Sequence, residues 1–213
     1  MRRLLPALLA LLACGVGPGT FDSKYNTDLE ARKIRRIAVF PLEALSGEEK
    51  SRVPFSSGGS GDSPAALISR QLYTTMSQSP NWQMISDREV REMMPLVPPG
   101  SPEARARRLG QLVYADAVIS GRLLRFRERE GEAMGVKSPA SVAFVLELWD
   151  VKRGDSIWSA HFDETQKALS ENLFALGQVT SRGVKWLKAE ELALEGVKKA
   201  VTDLHQALYR KPA

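Results

Sequence analysis

Ala115-Asp116-Ala117-Val118-Ile119-Ser120-Gly121 opens the part of the chain that decides the fold, and the alternation continues through Leu123 and Phe126. Ser141 to Trp149 follows, with Val142, Phe144, Leu146 and Leu148 on alternate positions. Asp150-Val151-Lys152-Arg153-Gly154 then reads as a hairpin turn into Ser156 to Phe162. Apolar residues at every second position mark strands with one buried face. Two tight connections in a row make three consecutive antiparallel strands.

Working outward, the preceding residues change period. Ile34 to Phe40 is a short apolar run ended by Pro41, which has no N–H to give a sheet. Ser63-Pro64 caps and starts a helix to about Met76, with Leu67, Ile68, Leu72 and Met76 near helical spacing. Trp82 to Ile85 is a brief strand. Ser86-Asp87 opens a helix carrying Val90, Met93 and Met94, and another covers about Pro102 to Tyr114. A last long helix, about Ala189 to Tyr209, shows Leu192, Val197, Ala200, Val201, Leu204 and Leu208 on one face. Strands separated by helical crossovers, followed by hairpins, give an α/β class. We expect a single domain with a mixed sheet of about five strands in the order β-α-β-α-α-β-β-β-α, with helices packed on it. Residues 129 to 138 read as a charged turn containing glycine. Asp116 is placed to bond nearby backbone at a helix-to-strand junction, and Gly121 permits a close approach or a bulge.

The amino terminus carries a different message. Arg2 and Arg3 precede an apolar stretch from Leu4 to Ala13, and Leu11-Leu12-Ala13-Cys14 closes it with the chain's one cysteine. The stretch suits an export signal and is short for a span, which takes about 20 apolar residues. Residues 1–13 are therefore expected to be a signal peptide, residues 14–32 a flexible tether, and residues 33–213 the folded domain. Treated as coil, residues 15 to 32 would average about 25 Å end to end. Loss of Arg2 and Arg3 lowers the net charge from +5 to +3, because no acidic residue leaves with them. The remaining basic residues are scattered among acidic ones, as in Arg125-Phe126-Arg127-Glu128-Arg129-Glu130, so nucleic-acid binding is not expected.

The tetrapeptide ending in Cys14 resembles the bacterial lipoprotein box, which implies cleavage before Cys14 and a diacylglycerol on its sulfur. Leu12 is bulkier than that pattern usually has. Gly15 follows where lipoproteins kept at the inner membrane often carry Asp, so the resemblance implies the periplasmic face of the outer membrane of a Gram-negative cell, with Cys14 engaging its lipid. A second resemblance rests on Ile37-Ala38-Val39-Phe40-Pro41, Gln71-Leu72, Trp82-Gln83-Met84-Ile85-Ser86, Ala115 to Gly121, and Leu148-Trp149-Asp150 before Ile157-Trp158. These are similar to the periplasmic α/β domain group that includes the curli-secretion lipoprotein CsgG, the penicillin-binding-protein activator LpoB and the amino-terminal domain of TolB. The group implies an accessory or assembly factor that binds an envelope protein.

Two other functions fit the residues less well. A CsgG-type channel inserts long alternating hairpins, about 9 to 11 residues per membrane strand. The 129–138 turn is short and charged, and Glu164 to Lys188 carries Lys167, Glu171, Arg182 and Lys185 without sustained alternation. A hydrolase could draw on His161 and Asp163, which share a strand face, but no Gly-x-Ser-x-Gly elbow accompanies them. With two histidines, His161 and His205, and no free thiol after acylation, neither a metal site nor a cofactor is expected, and no small-molecule substrate is evident. Glu48-Glu49, Glu128/Glu130 and Glu190-Glu191 read as solvated charges, and Gly58 to Gly61 lacks the Lys-Ser/Thr of a phosphate loop. The long connection after the hairpin offers Gln166, Leu169, Asn172, Phe174 and Trp186 as partner-binding residues, with the two aromatics as anchors. Alternatively these aromatics fold back onto the sheet. The expectation is a binding protein and no enzyme.

Overall fold

The computed structural model describes residues 20–44, 63–132, 135–166 and 187–209, with side chains left aside for 132–137. Its strands are β1 (Thr20–Tyr25), β2 (Arg36–Val39), β3 (Gln83–Met84), β4 (Ala117–Arg127), β5 (Glu130–Glu132), β6 (Gly135–Ser138), β7 (Ser141–Asp150) and β8 (Ser156–Thr165). Its helices are α1 (Pro64–Ser77), α2 (Asp87–Met93), α3 (Pro102–Leu112) and α4 (Ala189–Tyr209). Six strands form one mixed sheet in the order β1-β8-β7-β4-β2-β3, and β5 and β6 form a separate two-stranded ribbon. β2 runs parallel to both β3 and β4, while β4-β7, β7-β8 and β8-β1 are antiparallel. This is the α/β single domain with a mixed sheet that the patterning predicts, with one strand more.

The extra strand corrects the tether. Residues 20–32 do not hang free: Thr20–Tyr25 adds to the edge of β8 with Phe21 opposite Phe162. Leu29 is buried, and Glu30–Arg32 closes a turn of 3-10 helix. The strand escaped the reading because Thr-Phe-Asp-Ser-Lys-Tyr buries little, and only Phe21 packs against the core. Its order comes from the hydrogen-bonding edge that β8 presents.

Local chemistry starts each helix as expected. Ser63, Ser86 and Ser101 accept hydrogen bonds from the N–H of Ala66 (3.3 Å), Glu89 (3.2 Å) and Ala104 (3.2 Å), and Pro64 and Pro102 occupy first helical positions. α3 stops two residues before the predicted Tyr114. Tyr114 takes the left-handed conformation at φ 52°, which lets the N–H of Ala115 reach back to Gly110 O at 2.9 Å. The hairpin turn is held by Asp150, whose Oδ1 accepts from Lys152 N (2.8 Å) and Arg153 N (2.9 Å), and by Gly154 at φ 80°. The 129–138 turn is a short ribbon.

Two apolar layers result. α1 and α4 cover one face through Ile68, Leu72, Leu192, Val197, Val201 and Leu204 against Ile119, Phe144, Leu146, Trp158 and Phe162. α2 and α3 cover the β3-β2-β4 side of the other face and the Trp149 end of β7, through Val90, Ala106, Leu109 and Val113 against Ala38, Phe40 and Val118. Buried on both sides, the Ile37-Ala38-Val39 part of β2 is apolar at every position. Pro41 interrupts it, and Glu43 then re-pairs beside Arg122, with Glu43 N donating to Gly121 O at 2.9 Å. A side chain at Gly121 would place its Cβ 2.6 Å from Val145 O and 2.7 Å from Leu146 Cδ2, so the expected close approach is present. Asp116 Oδ2 accepts from the N–H of Arg35 (2.9 Å) and Arg36 (2.8 Å), binding the start of β2 to the start of β4.

Candidate functional site

Because α3 covers only the Val118/Trp149 end of β4 and β7, the second face of the rest of those strands, and of β8 and β1, has no helix over it among the described residues. Strand pairing writes the chemistry of that face in rows. Ser120, Glu147, Ser159 and Lys24 form one; Arg122, Val145, His161 and Asp22 the next; Arg125, Ala143, Asp163 and Thr20 the third. Glu147, His161 and Asp163 are half-buried, and Arg122, Asp22 and Lys24 are exposed. The face is a mosaic of both charge signs around the small apolar centre of Ala143 and Val145.

A β-bulge at Leu124 sets the third row. Leu123 pairs with Phe144 and Arg125 with Ala143, so the extra residue turns Arg125 onto the open face while returning Phe126 to the core. This explains why the apolar positions Leu123 and Phe126 are three apart. Arg125 then lies across the strands: its Nε–H donates to Ser141 Oγ at 2.6 Å, and its guanidinium forms an ion pair with Asp163. Ser141 and Thr165 hydroxyls meet at 2.6 Å beside it. His161 and Asp163 do share a face, as expected, but the Asp163 carboxylate is engaged by Arg125 and does not orient the imidazole.

Where α3 ends its cover, a shallow cleft opens between Phe40, Glu43, Pro102, Arg105, Gly121 and Glu147. The Arg105 guanidinium sits 4.7 Å from the Phe40 ring centre and forms an ion pair with Glu43. Ser120, which also lines the cleft, accepts the Trp149 indole N–H through its Oγ at 3.0 Å. These charged and aromatic groups are held by the strands and by α3.

At the opposite end of the strands the Asp28, Arg32, Asp150 and Asp155 cluster is structural. Arg32 donates to Asp28 (3.0 and 3.2 Å), Asp150 (2.9 Å) and Asp155 (3.0 and 2.8 Å). Hydrogen bonds from Arg32 hold the Asp155 and Asp28 carboxyls below their ordinary range, and those same partners, Asp155 foremost, push the guanidinium above its own.

Solved structures are similar to this chain. The hypothetical protein CT253 from Chlamydia trachomatis matches at TM-score 0.50 with 12% identity, over 84% of this chain and 99% of that one. The PelC dodecamer from Paraburkholderia phytofirmans matches at 0.47 and 14%, over 91% and 99%. LpoB from Escherichia coli matches at 0.40 and 12%, over 78% and 81%. For CT253, at 12% identity, the likeness is one of fold. No protein-family model and no curated protein matches the chain.

Of the partner-binding residues named from the sequence, Gln166 is the one the structure describes, its N–H bonded to Ala140 O at 3.1 Å just past β8. Cys14, Leu169, Asn172, Phe174 and Trp186 lie outside the described residues, as do Glu48 and Glu49. Glu128 accepts from Ala189 N (3.1 Å) and Glu191 from Lys188 N (2.8 Å), so both serve the start of α4. His205 meets Asn81 Oδ1 at 3.2 Å and stacks near Trp82 and Tyr209. Among the described residues no cluster of His, Cys, Asp and Glu could hold a metal ion, and no helix is long and apolar enough to cross a membrane. In the sequence Arg125 stands in a run of mixed charge and Arg122 in no motif. Strand alternation carried the signal, since both fall opposite the core-facing register once the bulge is allowed.

Proposed function

We propose that the protein is a lipoprotein of the bacterial cell envelope, held at the outer membrane through acylated Cys14, and that its α/β body is an accessory or assembly factor which binds an envelope protein and catalyses nothing. The observation that carries the binding role is the open face of β4, β7, β8 and β1. Beyond the end of β4 and β7 that α3 covers, the four strands present half-buried Glu147, His161 and Asp163 with exposed Arg122 and Asp22. Mixed charge around small apolar residues suits a specific, reversible partner, because each misplaced charge would oppose a wrong one. The bulge, the Arg125 bridge and the Ser141–Thr165 contact stiffen that face, which reduces the ordering cost of association. For a channel, the ribbon is short: β5 has 3 residues and β6 has 4, below the roughly 9 to 11 that a membrane strand needs.

The test is photocrosslinking in the protein's own cells from the full-length chain, with the probe at Arg122, at His161, or at exposed Lys198 on α4. One envelope protein trapped from Arg122 and His161 and absent from Lys198 is the expected result. Equal trapping from all three positions, or none from the sheet face, rejects the reading.

A further inference from the structure

The pairing of β1 fixes where the amino-terminal segment leaves the body. Thr20 stands opposite Asp163 and Tyr25 opposite Trp158, so the chain enters the sheet at the end where β4 finishes at Arg127 and β7 begins at Ser141. Six residue steps separate Cys14 from Thr20, and a fully extended chain advances at most about 3.3–3.6 Å per step, a reach of about 20 Å. A chain free as far as Arg32 would reach about 60 Å by the same measure. The segment after β1 is fastened too, by buried Leu29 and by the ion pairs of Arg32.

We infer that β1 acts as a short mooring that holds the Arg127/Ser141 end of the sheet against the phospholipid surface and turns the Tyr114 end away from it. The inference rests on the acylated Cys14 of the proposed function. Strand geometry opposes the inverted placement. Thr20 lies in the row of Arg125 and Ala143, seven residues along β7 from Asp150 opposite Ala117, and at about 3.3 Å per residue that separation is about 23 Å before Tyr114 itself is added. With Tyr114 on the bilayer, Thr20 would stand farther from the surface than the chain from Cys14 can reach. Tyr114, 82% exposed, and the Arg32 cluster therefore face the aqueous compartment. The open face stands between the two ends, so a partner meets it from the side, close to the membrane.

The experiment uses the full-length acylated protein in phosphatidylethanolamine/phosphatidylglycerol vesicles that carry an acceptor dye on the headgroups. A donor is attached at Arg127→Cys or at Tyr114→Cys. Cys14 is the chain's one cysteine, so in the acylated protein the introduced thiol alone reacts. Energy transfer from position 127 is expected to exceed that from position 114 by about twofold or more, given about 30 Å between the two. Phe21→Asp, which puts a charge where β1 packs on the core, should bring the two values together as the reach grows. Equal transfer from both positions in protein whose mass shows the acyl chains overturns the orientation alone, as does a ratio unmoved by Phe21→Asp. A mass showing an unmodified Cys14 overturns the anchor reading and the orientation with it.

Discussion

Replacing Arg32 with Met should unfasten the amino-terminal segment from the hairpin, and the cost can be worked from the geometry. The Arg32 side chain is 5% exposed and gives five hydrogen bonds to three carboxylates. Removing one partner of a buried ion pair costs about 3–5 kcal/mol, mainly because the remaining charge is stranded. Here Asp28 and Asp155 are 45% and 42% exposed and can rehydrate, while Asp150, at 7%, keeps two backbone N–H donors. The low end applies, about 3 kcal/mol, which for a body of this size lowers Tm by about 6–12 °C. The acid dependence follows from the same contacts. Arg32 holds the Asp155 and Asp28 carboxyls below their unfolded value of about 3.9, so their contribution is full above that pH and disappears as pH falls through the folded values. Thermal denaturation of wild type and R32M should thus show a gap that is constant near neutrality and narrows below about pH 4. A variant that melts with wild type, or a gap unchanged into strong acid, would refute the assignment of Arg32 as the fastening.

Gly121→Ala should destabilise the body by about 1–3 kcal/mol, since the new methyl meets backbone Val145 O, which cannot swing aside; urea denaturation measures it. Tyr114→Gly should raise stability by up to about 1 kcal/mol by relieving a non-glycine residue at φ 52°, with no packing lost from so exposed a side chain; thermal denaturation checks the sign. Cys14→Ser should move the protein from the membrane pellet to the soluble fraction of fractionated cells, while the circular dichroism of the body stays unchanged.

The helices and the hairpin were legible because each rests on contacts within a few residues. Ser63, Ser86 and Ser101 satisfy N–H groups three positions on, Asp150 folds its own turn, and the 3.6 and 2 periods of α4 and β7 state which side is buried. The open face was half legible. Alternation places Arg122 and His161 on one side, but the register that sets them in a row, and the bulge that turns Arg125, arise from pairing between distant strands.

The order of elements, the capped helix starts and the breaks at Pro41 and Gly154 were determined by the sequence itself, because propensity, backbone sterics and periodicity act locally. Tertiary structure alone decided that residues 20–25 become a strand and that Arg32 is buried. The first depends on the free edge of β8, and the second on carboxylates 118 and 123 residues away, where no local pattern can register them.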